Sequence, residues 1–155
     1  MNRIAILALV LSMTLLLNAC TNDELSREDE IELTIAAAIE AAENRSANDL
    51  SELIEEQYRD EKGLNKSQLI KLVRLYFFRH KNIYLFSKLG DIDFSAENQA
   101  SVTLHVAMAG SAISDITALA SLRASMHRFD LELIKHEQWL VRSATWYPAS
   151  IGDMQ

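Results

Sequence analysis

The chain's only cysteine, Cys20, is the residue whose chemistry is most directly indicated by its surroundings. Before it come a basic start at Arg3 and an apolar stretch over residues 4–17. As a helix this stretch would be about 21 Å long, short of the roughly 30 Å needed to cross a bilayer. This pattern is typical of a cleaved secretory signal, which has a charged start, a short apolar middle and a small residue, here Ala19, before the cleavage site. Because a lone cysteine has no disulfide partner in the chain, we expect the Cys20 sulfur to be modified instead.

The sequence Leu17-Asn18-Ala19-Cys20 resembles the bacterial lipoprotein signal, in which leucine and two mostly small residues precede the cysteine. Leu17, Ala19 and Cys20 fit that motif, and Asn18 is a less usual residue at its position. The resemblance implies a diacylglyceryl group on the Cys20 sulfur, cleavage before Cys20, and acylation of the new amine by a chain such as palmitate. An ordinary cleaved signal that leaves a free cysteine is the alternative.

By the same resemblance, Thr21 in place of aspartate after the cysteine implies sorting to the outer membrane of a Gram-negative cell, facing the periplasm. Residues 1–19 are then the signal peptide, and residues 20–27 are the lipidated cysteine and its tether. The tether is polar and acidic, so it lacks the apolar surface needed to order it. The first partner predicted for this protein is therefore a membrane, through the lipid.

Removal of residues 1–19 leaves 136 residues with 14 basic and 22 acidic side chains, enough for one domain. An acidic domain of this kind is a poor nucleic-acid binder and is not expected to be drawn onto anionic lipid. The absence of cysteine after Cys20 excludes disulfides and thiolate metal sites. The four histidines show no metal-ligand spacing, and no glycine-rich phosphate loop or nucleophile motif is present. We therefore expect no metal and no cofactor.

Two helices are predicted at the start of the domain. Ser26 and Asp29 form a capping pattern before an apolar series at helical spacing, and this helix should end near Asn44. Asp49 and Glu52 make a second capping pattern, which predicts a shorter helix. The apolar face of that second helix would consist of Leu50, Leu53, Ile54 and Tyr58.

A third helix is predicted after the charged turn that Gly63 closes, with Asn65 and Gln68 as its capping pair. Its apolar residues recur at the spacing of a single helix face, which indicates that this face packs in the core. The predicted face consists of Leu69, Leu72, Val73, Tyr76, Phe77 and His80.

From Asn82 onward the apolar residues follow the period of a strand. The segment Ile83–Phe86 is rich in β-forming residues, and Gly90 with Asp91 interrupts the run. Residues 101–108 alternate between apolar and small or polar side chains, which predicts a half-buried strand.

Two more strands are predicted near the end of the chain. In residues 122–135 the apolar side chains switch from one face of the strand to the other near His127, which indicates a bulge there. A hairpin turn leads into the last strand over residues 138–147, with Trp139, Val141, Ser143 and Thr145 sharing one face. Pro148 should end that strand.

Three helices followed by four strands predict an α+β fold, because only the helices can cover a face of the antiparallel sheet. This order resembles the nuclear-transport-factor-2-like (NTF2-like) superfamily, which includes the ketosteroid-isomerase-like proteins. The residues that carry the resemblance are Tyr58–Asp60 after the helix pair, the capped third helix, and the closing strand 139–146. The resemblance covers residues 28–148, leaving a loose tail at 149–155. It implies a curved four-stranded sheet wrapped on three helices, with a conical cavity between them.

In this superfamily the cavity mouth is built from helix ends and the concave sheet face, which implies a set of pocket residues. A carboxylate or imidazole shielded from water there could have its pKa moved toward neutrality and act as a base. A tyrosine there could donate a hydrogen bond to a developing oxyanion. The implied pocket residues are Tyr58, Asp60, Tyr76, His80, Arg128, Asp130 and Trp146.

Each candidate also has a simpler structural interpretation. Asp60 lies in a charged turn, where it could be a cap, while Tyr76 and His80 continue the predicted core face of the third helix. Arg128 and Asp130 point the same way on one strand and could pair with each other. Since no two titratable residues have a spacing that demands catalysis, the catalytic residues stay unassigned.

The first hypothesis is a lipid-anchored envelope protein whose domain binds a small apolar ligand or a protein partner without catalysis. The second is an isomerase or dehydratase type of enzyme that uses Asp60 or His80 as the base. The third is a structural module that dimerises or assembles through its sheet, which the wholly apolar segment Ile83–Phe86 would suit.

Overall fold

The computed structural model describes residues 25–112 and 125–154. Cys20, the predicted signal peptide and most of the predicted tether lie outside the described residues, as does most of segment 109–120. The helices are α1 (Arg27–Glu43), α2 (Ala47–Glu52) and α3 (Lys66–Arg79). The strands are β1 (Tyr84–Ala96), β2 (Gln99–Ala109), β3 (Ser125–Lys135) and β4 (Trp139–Pro148), and a short 3₁₀ helix spans Ile151–Met154.

The four strands form one antiparallel sheet in the order β1-β2-β3-β4. The sheet is curved and does not close, and the three helices precede it in the chain. This arrangement confirms the predicted α+β fold, with an NTF2-like layout.

The helix starts depend on local hydrogen bonds. The Ser26 hydroxyl accepts a hydrogen bond from the Asp29 N–H at 3.1 Å, and the Asp29 carboxylate accepts one from the Ser26 N–H. A second such box caps α3, and α1 ends at Asn44, as predicted. The predicted start of α2 at Asp49 is wrong, because the Ser46 hydroxyl caps that helix by accepting from the Asp49 N–H.

The prediction that the second helix continues to Tyr58 is also wrong. The helix ends at Glu52, and residues 53–59 follow the edge of β4 instead. The Val141 N–H donates to the Leu53 carbonyl, and the Glu55 N–H donates to the Val141 carbonyl, both at 2.9 Å. This pairing satisfies backbone groups that would otherwise be left at the end of a short helix.

The two faces of β4 differ from the predicted alternation. Leu133 pairs with Val141 while Glu132 pairs with Ser143, so β4 carries an extra residue at Arg142. The bulge therefore lies here and not near His127. Because the extra residue reverses the parity, Ala144 packs against the same core as Trp139 and Val141.

The first strand continues through the predicted interruption at Gly90. A register shift separates the pairs Leu89–Leu104 and Ile92–Val102. A Cβ added to Gly90 would lie 3.2 Å from the Thr103 carbonyl oxygen, so a larger residue would push the two strands apart by a few tenths of an ångström.

The main core lies between α1 and the concave face of the sheet. Trp139 is 1% exposed, and its Nε1–H donates to Glu30 Oε2 on α1 at 3.0 Å. The Lys135 ammonium donates to the same oxygen, and these two bonds hold the pKa of Glu30 below its usual value. This carboxylate therefore joins the first helix to the sheet.

Helix α3 buries a face that is rotated from the predicted one and still includes the predicted Leu69, Val73 and Phe77. Ile70 and Phe77 are buried in a second cluster with Ala47 and Ile83, because α3 packs beside α2 and the start of the sheet. The predicted core residues Tyr76 and Leu72 are 39% and 50% exposed, and His80 is exposed too.

Candidate functional site

The seven candidate site residues lie in three separate places. Phe129 and Leu131 pack in the core, and the alternation of β3 turns Arg128 and Asp130 to the opposite face of the sheet. The three groups are Tyr58, Asp60 and Trp146 on the concave side, Tyr76 and His80 on the outer surface of α3, and Arg128 and Asp130 on the convex side.

On the convex side the Arg128 guanidinium binds its neighbour on the strand. Arg128 Nε lies 2.8 Å from Asp130 Oδ1, and this bond raises the pKa of Arg128. Both side chains are nearly half exposed, beside Tyr147 and Asp153 in a shallow depression of about 390 Å³. An ion pair this open to water contributes little to stability and leaves no free charge for a substrate.

On α3 the rings of Tyr76 and His80 stack on each other with their centroids 4.1 Å apart. Tyr76 is 39% exposed and His80 is exposed, so water reaches both side chains. A general base needs to be held against its substrate in a site shielded from water. The exposed surface of α3 gives His80 no such site.

Burial along the concave face falls from one end to the other. Val102 and Leu133, near the β3–β4 turn, are each 2% exposed. At the other end four apolar side chains are only half buried, and we call this set the concave rim: Leu85, Met108, Phe129 and Trp146. The concave rim is therefore the part of this face that a ligand could reach with least rearrangement.

Tyr58 and Asp60 lie where the segment beside β4 runs toward the concave rim. The Arg59 N–H donates to the Arg142 carbonyl at 3.1 Å, and two residues after Asp60 the Lys62 ammonium lies 4.4 Å from the centre of the Trp146 ring. Tyr58 is 1% exposed and Asp60 is 7% exposed. The edge pairing with β4 thus brings both side chains into the interior.

Asp60 also closes the turn that leads to α3. Its Oδ1 accepts a hydrogen bond from the Leu64 N–H at 2.8 Å, and the Gly63 N–H donates to the Asp60 carbonyl. Gly63 has φ of 78°, a conformation that favours glycine. The capping role that the sequence left open is therefore present, but it uses only one of the two carboxylate oxygens.

Two polar atoms in this interior have no hydrogen-bond partner among the described residues: Tyr58 Oη and Asp60 Oδ2. Buried polar atoms are nearly always paired, so an unpaired donor and acceptor in one region favour a binding site. Burial, together with the nearby Asp60 charge, raises the pKa of Tyr58 to about 12. The phenol therefore keeps its proton at neutral pH, where it can donate a hydrogen bond but cannot act as a base.

Replacing Tyr58 with phenylalanine should remove a pH dependence of stability. Because the folded-state pKa is about 12 and the unfolded value is 10.0, stability from the protonated phenol is complete below pH 10 and is lost as pH rises toward 12. The loss is on the order of 2 kcal/mol. At pH 7 the substitution should be neutral or slightly stabilising, since it deletes an unpaired hydroxyl.

Urea unfolding at pH 7 and at pH 11 measures both effects of Tyr58→Phe. The exposed Tyr147→Phe is the matched control and should follow the wild type at both pH values. A marked loss of stability at pH 7 would contradict the absence of a hydrogen bond to the Tyr58 hydroxyl.

Sequence reasoning missed Glu55, which is 6% exposed although it belongs to the charged run Glu55–Lys62. Its two carboxylate oxygens lie 3.3 Å from Arg142 Nε and 3.4 Å from His136 Nε2. The sequence carries no periodic signal for this burial, since Glu55, Tyr58 and Asp60 follow one another at intervals of three and two residues. Within residues 25–112 and 125–154, no three His, Cys, Asp or Glu side chains gather in a way that could hold a metal ion.

Comparison with known proteins identifies the fold. A candidate scytalone dehydratase from Novosphingobium aromaticivorans is similar to this chain at 14% identity and a TM-score of 0.64, over 78% of this chain and 83% of that one. A candidate dehydratase of the NTF2-like family from Streptomyces avermitilis has 14% identity and a TM-score of 0.60, over 78% and 95%. An NTF2-like protein of unknown function from Shewanella oneidensis has 14% identity and a TM-score of 0.58, over 78% and 98%.

These likenesses show an NTF2-like fold, and at this level of identity they concern the fold alone. No protein-family model and no curated protein sequence matches the chain. In the part of the chain that the structure describes, no helix is both long and apolar enough to cross a membrane.

Proposed function

We propose that this protein is a lipid-anchored component of the bacterial cell envelope whose NTF2-like domain binds a small, largely apolar ligand without catalysis. The observation that carries the binding proposal is the unpaired Tyr58 Oη and Asp60 Oδ2 on the way to the concave rim. A ligand with one polar group could accept from the phenol and donate to the carboxylate. Its apolar part would then lie against Phe129 and Trp146, whose ring centroids are 6.4 Å apart.

The distribution of titratable groups supports binding over catalysis. Acid–base catalysis needs at least one group that exchanges a proton near neutral pH, placed within hydrogen-bond reach of the substrate. The Tyr58 phenol, with a pKa of about 12, keeps its proton at neutral pH, and His80 is exposed on another surface. Arg128 and Asp130 are separated from the concave rim by the sheet itself.

An isomerase or dehydratase type of enzyme is the second candidate, with Asp60 as the base. The observation that favours it is that Asp60 is buried and has one carboxylate oxygen free of hydrogen bonds among the described residues. In this version Tyr58 would donate a hydrogen bond to a developing oxyanion.

Native mass spectrometry of the full chain, purified from membranes in mild detergent, tests the binding proposal. We expect an adduct that is lost on denaturation. The variants Tyr58→Phe and Asp60→Asn should each reduce the occupancy of this adduct. In a separate measurement, the urea midpoint of Tyr58→Phe should be unchanged at pH 7. His80→Gln is the matched control, because it changes an exposed titratable residue, and it should retain the adduct.

The same experiment separates the two candidates. The released adducts are therefore compared by mass and by chromatographic retention, because a dehydratase changes the mass of its ligand and an isomerase does not. If the Asp60→Asn variant retains a compound that differs from the wild-type adduct in mass or retention, the residue converts its ligand and the enzyme is favoured. The same compound at lower occupancy favours the binding module. Equal occupancy in all variants would refute a site at Tyr58 and Asp60.

A further inference from the structure

Basic residues are concentrated around α3. From Lys62 to Gly90 the chain contains seven of its 15 lysines and arginines and none of its 22 acidic residues. The rest of the chain therefore has eight basic residues against 22 acidic ones, so the charges of this protein are strongly segregated. The seven basic residues are Lys62, Lys66, Lys71, Arg74, Arg79, Lys81 and Lys88.

The outer side of α3 combines these charges with large apolar side chains. At 100° per residue, the arc that runs from the flank of the buried Ile70 and Phe77 round to the opposite side alternates between the two chemistries. Phe78 is 86% exposed and Leu75 is 45% exposed, unusual values for residues of this size. We name this surface the basic-apolar face, and it consists of Lys71, Leu72, Arg74, Leu75, Phe78 and Arg79.

The charges of this face are not neutralised within the described residues. No carboxylate oxygen of residues 25–112 or 125–154 lies within 4.0 Å of the charged nitrogens of Lys71, Arg74 or Arg79. Arg74 donates instead to the uncharged Asn48 amide oxygen at 3.1 Å. The free positive charge therefore faces outward.

A cleft beside the face extends the same chemistry. It has a volume of about 620 Å³ and lies between Arg45, Arg74 and Lys81, with Phe77 and Phe78 on its wall. The Arg45 guanidinium donates to the Phe77 and His80 carbonyls at 3.4 and 3.3 Å, which fixes its charge at the end of α3. Three cations around an open cleft suit the phosphate of a lipid headgroup.

We propose that the basic-apolar face of α3 docks on an anionic lipid bilayer. Phe78 and Leu75 enter the headgroup region, while Lys71, Arg74 and Arg79 lie against lipid phosphates. Binding of a helix to a membrane interface grows with the apolar area that it buries and with the electrostatic attraction of its basic residues to anionic lipid, and this face offers both. Since charges are screened beyond about 8 Å at physiological salt, the acidic remainder of the domain does not cancel this local attraction. The proposal goes beyond the ligand site and does not depend on it.

A tryptophan reporter on the face tests the proposal in the full chain. The variant Phe78→Trp is reconstituted in nanodiscs of brominated phosphatidylcholine, with or without phosphatidylglycerol. The unsubstituted chain in the same discs gives the fluorescence quenching of Trp139 and Trp146, which is subtracted as background. We expect the added indole to be quenched in the anionic discs. Each basic residue near an anionic surface changes the equilibrium constant of docking about fivefold. Adding Lys71→Gln and Arg79→Gln should therefore lower that constant about 25-fold.

The matched control removes two charges elsewhere. Glu32→Gln with Glu40→Gln, both exposed on α1, should leave quenching unchanged, and circular dichroism establishes that all variants are folded. Equal quenching in neutral and anionic discs would overturn the proposal. So would a dimer in the absence of lipid that the two α3 substitutions dissociate, because a second copy would then cover the face.

Retention of the chain in the discs tests the lipid anchor, separately from the quenching of the added indole. A chain lost from neutral discs contradicts the anchor. If anionic discs still retain that chain, the α3 proposal is supported, and if they lose it as well, the α3 proposal is overturned.

Discussion

The variant Trp139→Ala is expected to lose about 3–5 kcal/mol of unfolding free energy, a large share of the 5–15 kcal/mol typical of a domain. Trp139 is among the largest fully buried side chains and lies against Phe94, with 6.1 Å between ring centroids. Its removal leaves a cavity between the sheet and α1 that these elements can fill only in part. It also takes from the Glu30 carboxylate one of the two donors that join α1 to the sheet.

Urea unfolding followed by circular dichroism measures this loss. Trp146→Ala removes the same atoms from a half-buried position and should cost clearly less. Trp139→Phe keeps a ring without the N–H, so it isolates the hydrogen bond to Glu30. If Trp139→Ala cost no more than Trp146→Ala, the placement of the main core beneath α1 would be contradicted.

The variant Cys20→Ser is expected to abolish the cleaved, lipid-anchored form of the protein in the membrane. Serine has no sulfur to receive the diacylglyceryl group, and acyl chains supply the binding energy of such an anchor at about 0.8 kcal/mol per buried CH₂. Membrane fractionation after expression in a Gram-negative host, with detection by immunoblot, measures the change. Uncleaved precursor should accumulate, because cleavage of this kind of signal follows lipidation.

The matched control for the anchor is Thr21→Asp, which keeps the sulfur. By the resemblance to lipoprotein signals, this variant should remain in the membrane fraction but move from the outer to the inner membrane. A Cys20→Ser protein that stays membrane-bound after cleavage would contradict the anchor and would favour docking through α3 alone.

The features that the sequence predicted well are those determined by neighbours in the chain. The capping boxes Ser26–Asp29 and Asn65–Gln68 depend on contacts three residues apart, and both helix starts were predicted correctly. The alternation in β2 depends on one buried face, and it also appears in the structure. Together with the order of elements, these local signals were enough to predict the fold.

The features that the sequence did not predict depend on partners far along the chain. The rotation of α3 is decided by Ala47 and Ile83, which bury Ile70 together with the predicted Phe77 and leave Tyr76 exposed. Which side chains of β4 face the core after Val141 is determined by one extra residue, Arg142, opposite β3. A periodic pattern indicates that one face is buried, but a helix with apolar residues on most sides does not indicate which one.

The candidate site was predictable only in part, for the same reason. The resemblance implied that Tyr58 and Asp60 are pocket residues, and the structure buries both, but this burial comes from hydrogen bonds to β4, about 80 residues away along the chain. Net charge was a poor guide to surface chemistry, because it averages an acidic remainder with the basic segment around α3.

The pairing of residues 53–59 with β4 also determines how this sheet can meet other polypeptides. An open sheet has two edges where a foreign strand can add and begin aggregation. The hydrogen bonds from Leu53, Glu55 and Arg59 occupy one edge at Val141 and Arg142. The other edge, β1, has a register irregularity after Leu89 and carries exposed charges that oppose strand addition at Lys88, Asp91 and Asp93. A protein held at high local density on a membrane would thus be protected from edge-to-edge polymerisation on both sides of its sheet.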